Sequence, residues 1–342
     1  MKLHFWDEKY KNFGDDLNSW IWSKYFDFSS SPDAPIFVGI GTIIDESIPV
    51  AERIIVFGSG AGYAKPPAHI GEAGFDIRFV RGPLSARLLN LDETKSITDP
   101  AILVADQFQR VPTGDRKGVV FVPHFKSPKS ARLRDVCERA GIEYVDPLSE
   151  SRSVVTRISR AEKVIAESMH AAIVADAMRV PWLPVVTSPE ISTFKWCDFS
   201  FSLRLPYCPL VLPATCFTHQ TRDLLIRQSA NNLSLASPWA DNRFTHERKG
   251  IEQQMESFHA IVERQHDRLR KMFSLSVRIF NRSVGRLPAF FAGRKGGDLF
   301  EASVAAMHEC ALRPGVLSDE KIHEAALSAV LRAIEELQSE KF

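Results

Sequence analysis

Lys163-Val164-Ile165-Ala166 is an apolar strand run, and Glu167-Ser168-Met169-His170-Ala171-Ala172-Ile173-Val174-Ala175-Asp176-Ala177 follows it without a break. The junction reads as a strand passing directly into a helix and places a histidine at the helix start. In an open α/β sheet, ligands bind in the crevice beyond the carboxyl ends of the strands. A helix that begins there offers unpaired N–H groups and a positive dipole end, both suited to an anion. An imidazole in that position can exchange a proton near neutral pH. A histidine that merely caps the helix would leave the same trace.

Working outward, the chain alternates short apolar runs with helical patterns on both sides of this junction. Leu3–Trp6, Ile36–Gly39, Ile54–Phe57 and Ile77–Val80 read as strands, with helices over Asp15–Phe26 and Pro83–Leu91 and another from Asp99. After the polar break Pro112–Gly118, strands are expected at Val119–Val122, Glu143–Val145, Lys163–Ala166 and Val180–Val186, with a last one at Asp198–Leu203. Helices are expected at Lys129–Ala140, Ser149–Ser159 and Ala171–Met178, the first ended by Gly141. Such alternation implies βαβ units and mostly parallel sheets. The expected architecture is α/β: two facing Rossmann-like domains (residues 1–115 and 116–240) with a cleft between them, followed by a helical C-terminal extension (241–342). In that extension Met255, Phe258, Ile261, Val262, Leu269 and Met272 keep helical spacing.

Composition narrows the class. Of 342 residues, 44% are hydrophobic and 25% charged, an ordinary soluble balance, and the net charge of +1 gives no ground for a nucleic-acid partner. Five scattered cysteines without CxxC spacing argue against a disulfide framework or a zinc site. Neither a signal-peptide core nor a run of about 20 apolar residues is evident, so a cytoplasmic protein is expected, at most peripheral on the inner face of the membrane. Between Arg264 and Lys295, arginines and lysines interleave with phenylalanines and aliphatics, and Asp267 is the only acid. A basic amphipathic segment of that kind can lie on an anionic bilayer, or its aromatics can dock onto the α/β lobes or a second subunit.

Several strand ends carry chemistry. Asn12-Phe13-Gly14-Asp15-Asp16 offers a glycine for close approach and two carboxylates for caps or sugar hydroxyls. Gly39-Ile40-Gly41-Thr42-Ile43-Ile44 and Gly58-Ser59-Gly60-Ala61-Gly62-Tyr63 are tight turns that complete neither nucleotide fingerprint. Arg81, before the Gly82-Pro83 helix start, can meet an anion or neutralise a carboxylate. Asp99 in Thr98-Asp99-Pro100 suits an N-cap. His124 and Lys126 end the first strand of the second half, across from His170, and together suggest an anion pocket. Lys195-Trp196 could hold a sugar ring or phosphate, or cover the core.

Taken in order, Asn12–Asp15, Gly39–Ile44, Val80–Ser85, Thr98–Pro100, Ser168–Ile173 and Val180-Pro181 resemble the polysaccharide pyruvyl transferase family, and most of all its bacterial exopolysaccharide ketalases of the succinoglycan type. The likeness covers roughly residues 1–205. It implies a GT-B-like pair of Rossmann-like domains, an acceptor-binding N-terminal one and a donor-binding C-terminal one. The implied reaction moves the enolpyruvyl group of phosphoenolpyruvate onto a saccharide as a cyclic ketal, with no cofactor besides that co-substrate and no metal. His170 would be the general acid, and Asp15 would activate the hydroxyl, with Asp16 as alternate. Donor binding would fall to His124, Lys126, Ser168, Met169 and Arg81, and acceptor binding to Asn12, Gly14, Asp16 and Gly41. Many members carry arginines where this chain has Ser168 and His124, so His124, Lys126 and the helix N-terminus must supply that charge here. The acceptor is expected to be a saccharide, with a lipid-linked form and a homo-oligomeric enzyme left open. A sugar-nucleotide glycosyltransferase of the same architecture and a non-catalytic scaffold of a polysaccharide synthesis complex are the alternatives.

Overall fold

Four strands on one side and five on the other build two parallel sheets in the computed structural model, which describes residues 1–6, 12–29, 31–61, 66–67, 70, 74–127, 132–188, 191–220, 223 and 294–340. The first sheet runs β1 (Lys2–His4), β2 (Ile36–Val38), β3 (Ile54–Phe57) and β4 (Phe75–Phe79) side by side in chain order. β2 and β3 are buried along their whole length, the signature of strands covered on both faces. Phe37 stacks on Phe57 at 5.3 Å, with the Trp22 ring edge-on to both.

The second sheet contains β5 (Val119–Val122), β6 (Glu143–Tyr144), β7 (Lys163–Ala166), β8 (Trp182–Val186) and β9 (Leu210–Val211), in the order β6-β5-β7-β8-β9. The chain leaves β5 for the edge, then returns to the other side of β5 as β7. Strand order therefore reverses between β5 and β7, and the carboxyl ends of those two strands flank the place where open α/β sheets bind ligands. His124 follows β5, and His170 follows β7.

The helix expected over Asp15–Phe26 is divided into α1 (Phe13–Asp16), α2 (Asn18–Ile21) and a 3-10 turn (Trp22–Lys24). Asn18, fully buried, explains why this segment is anchored as it is. Its amide donates to the carbonyls of Asp15 (3.0 Å) and Ile40 (2.9 Å) and its Oδ1 accepts from Ile40 N (2.9 Å), tying the glycine turn after β2 to the first helix. Further helices are α3 (Pro83–Leu88), α4 (Leu133–Arg139), α5 (Ser151–Arg160) and α6 (Met169–Ala177).

The expected strand at Asp198–Leu203 is instead the second half of a helix, α7 (Thr193–Ser202), capped by Ser192. Alternating Asp198, Phe199, Ser200 and Phe201 imitate a strand, but all four are buried, so polarity carries no helical period there. The last strand lies later, at Leu210–Val211.

Two helices, α8 (Arg294–Leu312) and α9 (Glu320–Ser339), complete the described chain. α8 packs against α4 and β7, and Val316 then pairs antiparallel with Trp182 at the second sheet. α9 returns to the first half, burying Val330, Ile334 and Leu337 in the core that holds Trp20 and Leu103. Glu340 bonds Arg53 (2.6 Å) and Arg78 beside the first sheet. Gly62, Tyr63, Lys129 and the helical and basic segment expected over 241–293 lie outside the described residues. Among the described residues, no helix is long and apolar enough to cross a membrane.

Candidate active site

The carboxyl ends of both sheets meet at one seam. Phe13 N donates to Pro147 O (2.8 Å), Trp20 Nε1 to Ser151 Oγ (2.8 Å), and the Arg152 guanidinium covers the Trp20 ring at 4.3 Å. A buried ion pair crosses the same seam. Arg81, after β4, donates through Nε to Asp198 of α7 (2.9 Å) and through Nη1 to Thr42 (2.7 Å), with both charged residues fully enclosed. Asp198 also accepts from Ser85 N (2.9 Å) and Ser85 Oγ at the start of α3. Gly82 has no side chain because one would meet Asp198 O at 2.0 Å. Of the two roles open to Arg81 in the sequence, the structure displays carboxylate neutralisation, while its Nη2 is buried without a hydrogen-bond partner.

At the centre of the seam α1 rests on the start of α6. A β-carbon on Gly14 would lie 1.9 Å from His170 Nδ1, and the Phe13 ring stands edge-on to the imidazole at 6.5 Å. Asp15, the next residue of α1, thereby comes beside the His170 region. Asn12 caps α1, accepting from Gly14 N (3.0 Å) and Asp15 N (3.1 Å), and its amide bonds the Asp15 carboxyl. Gly41, at φ +138°, keeps the turn close to Asp15: a β-carbon there would stand 3.8 Å from Asp15 Oδ1.

Asp16 faces elsewhere. It accepts from Ser151 Oγ (2.6 Å) and Ser151 N (3.3 Å), which fastens α1 to the N-terminus of α5. Its carboxylate thereby serves the start of α5. Ser168 stands at the cap position of α6 without a side-chain cap bond, its carbonyl accepting from Ala171 N (3.1 Å), and Met169 is buried beside it. Trp196 is core: it is buried and stacks on Tyr207 at 5.0 Å, so it does not offer a face to a sugar.

The electrostatics are those of a cationic site. Burial, reinforced by Lys195, Arg81 and His124, lowers His170 to about 3, so the imidazole is neutral in the ligand-free protein. Its Nε2 is buried without a hydrogen-bond partner. Desolvation and then Lys195 and Lys126 move His124 in the same direction. Asp15 moves the opposite way: burial raises its pKa, opposed by Lys195, the Asn12 hydrogen bond and Lys126. Asp99 caps the 3-10 helix Pro100–Asp106 through Ala101 N (3.0 Å), as its sequence position suggests. Burial raises it to about 6 against the pull of Arg81 and Lys195, and its Oδ2 is buried without a partner.

Two contributors were not singled out in the sequence. Glu167, fully buried, accepts from His124 N (3.0 Å), Ser127 Oγ, Thr187 N (2.8 Å) and Thr187 Oγ1, and so fixes the loops after β5 and β8 around the switch point. Its place directly after an apolar strand was the available signal. Asp198 was obscured by the strand reading of Asp198–Leu203, which hid its relation to Lys195. On a helix they are three residues apart and share a side.

Two parallel sheets covered by helices, with His170 and Asp15 at the seam between them, define an α/β protein. The model of the polysaccharide pyruvyl transferase family matches residues 14–189, and the chain belongs to that family. It is 38% identical over 219 residues, covering 63% of this chain and 69% of the relative, to the succinoglycan biosynthesis protein ExoV of Rhizobium meliloti (strain 1021). No solved structure matches the chain.

Proposed function

We propose that the protein transfers the enolpyruvyl group of phosphoenolpyruvate to two hydroxyls of a saccharide, forming a pyruvate ketal during exopolysaccharide assembly. The observation that carries the proposal is the contact of Gly14 with His170, which brings the helix that bears Asp15 against the imidazole, with Lys195 acting on both groups. Family membership and the relative's role in succinoglycan synthesis support the same chemistry.

In this scheme C3 of the donor takes up a proton and C2 becomes cationic. One sugar hydroxyl adds to C2 and gives up its proton, the C–O bond to phosphate breaks, and the second hydroxyl closes the ring as it loses its own. One hydroxyl proton balances that gained by C3, and the other leaves with phosphate. His170 is neutral before the donor arrives, so its role as acid depends on the negative donor raising its pKa in the complex. Asp15 accepts a hydroxyl proton: burial raises its pKa and makes it a stronger base, while Lys195, the Asn12 hydrogen bond and Lys126 oppose that shift. A positioned acid or base of this kind contributes roughly 10² to 10⁴ in rate. The two sheets act as the lobes of a GT-B-like enzyme, donor at the β5/β7 switch point and acceptor beside α1.

Phosphate release from phosphoenolpyruvate, measured with saccharide acceptors in free and lipid-linked form, tests the reading. Release should require acceptor and should collapse in His170→Ala. A thermal shift with UDP-sugars and none with phosphoenolpyruvate would transfer the case to a sugar-nucleotide glycosyltransferase.

A further inference from the structure

α7 is held in one orientation by three contacts on separate sides. Ser192 caps it by accepting from Lys195 N (3.4 Å), Trp196 is stacked in the core on Tyr207, and Asp198 is bound across the seam by Arg81 and Ser85. Lys195 lies one turn before Asp198, and residues three apart share a helix side, so its stem starts on the side that α7 turns to the first half. Its charge is felt by four groups on four different elements: Asp15 in α1, Asp99 before the 3-10 helix, His124 after β5 and His170 in α6. Two buried nitrogens in the same region, His170 Nε2 and Arg81 Nη2, have no hydrogen-bond partner in the protein.

We infer that Lys195 is a substrate-binding residue, its ammonium meeting the anionic phosphate of the co-substrate and holding it against the start of α6. This rests on the pyruvyl-transfer reading above. The positive field needed at Ser168 then comes from the neighbouring helix α7. An ammonium, with three N–H donors to the single donor of a serine hydroxyl yet unable to form a planar fork, recognises phosphate as a point charge.

The test is calorimetric titration of phosphoenolpyruvate and of inorganic phosphate into full-length wild type, Lys195→Gln and Lys195→Arg, with steady-state KM for donor and saccharide. Lys195→Gln should weaken phosphoenolpyruvate binding by about 10- to 100-fold, as expected for a lost charge-assisted hydrogen bond. The KM for saccharide should stay near wild type, and Lys195→Arg should recover most of the donor affinity. A purely structural lysine would not separate the two substrates in this way. Amine labelling of the wild type, read at Lys195 by mass spectrometry, needs no variant, and phosphoenolpyruvate must slow it. Donor affinity in Lys195→Gln within twofold of wild type, or labelling unaffected by donor, overturns the assignment while leaving pyruvyl transfer standing. A wild type that binds no phosphoenolpyruvate removes both.

Discussion

Gly14 and His170 share a boundary with no room for a methyl group: a β-carbon on the glycine would stand 1.9 Å from Nδ1 and 2.4 Å from Cγ of the imidazole. The missing side chain is what lets α1 and α6 meet. Gly14→Ala must displace one of them. Inserting a methyl into a tight contact typically costs about 1–3 kcal/mol, and a misplacement of about 1 Å at a reacting centre can cost on the order of 10² in rate. The expected result is a folded protein, with its Tm reduced by several degrees and turnover down by about two orders of magnitude. Wild-type turnover in Gly14→Ala would mean that the contact does not position the chemistry.

Adjacent carboxylates give a sharper comparison. Asp15 follows Gly14, the residue against His170, and is bonded by Asn12, whereas Asp16 is bound to Ser151. Asp15→Asn should abolish most phosphate release, by about 10²- to 10⁴-fold, with little change in unfolding midpoint. Asp16→Ala should do the reverse, losing about 1 kcal/mol of stability for a hydrogen bond while keeping most of its activity. Denaturation curves and rate assays on the same preparations decide between them, and an exchange of the two phenotypes would assign the base to Asp16.

Donor binding should draw protons from solution. In the ligand-free protein His170 sits at about 3, and His124 is also lowered; both shifts arise from desolvation and neighbouring cations. A phosphate ester among those cations offsets their field and raises both imidazoles. At any pH between the free and bound values the complex holds more protons than the empty protein, so affinity must fall as pH rises through the bound value. Titration calorimetry at pH 6 in buffers of differing ionisation enthalpy should report net proton uptake. Zero or negative uptake would leave His170 neutral in the complex and remove it as the acid.

Much of this arrangement was readable from the chain because strand runs such as Ile54–Phe57 and Lys163–Ala166 are continuous and apolar, as doubly covered parallel strands must be. His170 and Asp15 were singled out for a related reason: they stand on strand-to-helix connections, where such folds place ligands. What escaped was burial itself. α7 is enclosed on nearly all sides, so its sequence lost the polar face that marks a helix, and the Lys195–Asp198 spacing lost its meaning with it. Asn18, Glu167 and Arg81 satisfy partners far along the chain, at Ile40, Thr187 and Asp198, and no local pattern announces such pairs.

Asp99 makes stability and pH inseparable. Its folded-state pKa, raised to about 6, means that the folded protein holds a proton between about pH 4 and 6 that the unfolded chain has already lost. Its contribution to stability therefore declines as pH climbs through that window, and the loss persists above it. Asp99→Asn keeps an oxygen for Ala101 N and never ionises. Its advantage over wild type should be near zero at pH 4, grow to pH 6 and level off, at no more than about 3 kcal/mol for a shift of this size. Urea denaturation at pH 4, 6 and 8 measures it, and a pH-independent difference would show that ionisation of Asp99 is not the cost.

Arg81 and Asp198 join the two halves through a pair with no solvent contact. Removing one member leaves the other buried and uncompensated, which typically costs about 3–5 kcal/mol, whereas replacing both by apolar residues of similar volume is often close to neutral. Arg81→Met should therefore be strongly destabilising, with Asp198→Leu comparable and further penalised because Ser85 N and Ser85 Oγ lose their acceptor. The double variant should be more stable than the sum of the singles, with a coupling of about 2 kcal/mol or more. Its activity should nevertheless stay low, because the charge that Arg81 contributes near His170 is gone. Additive stabilities in the cycle would show that the two residues act independently, and the ion pair would then not be what holds the seam closed.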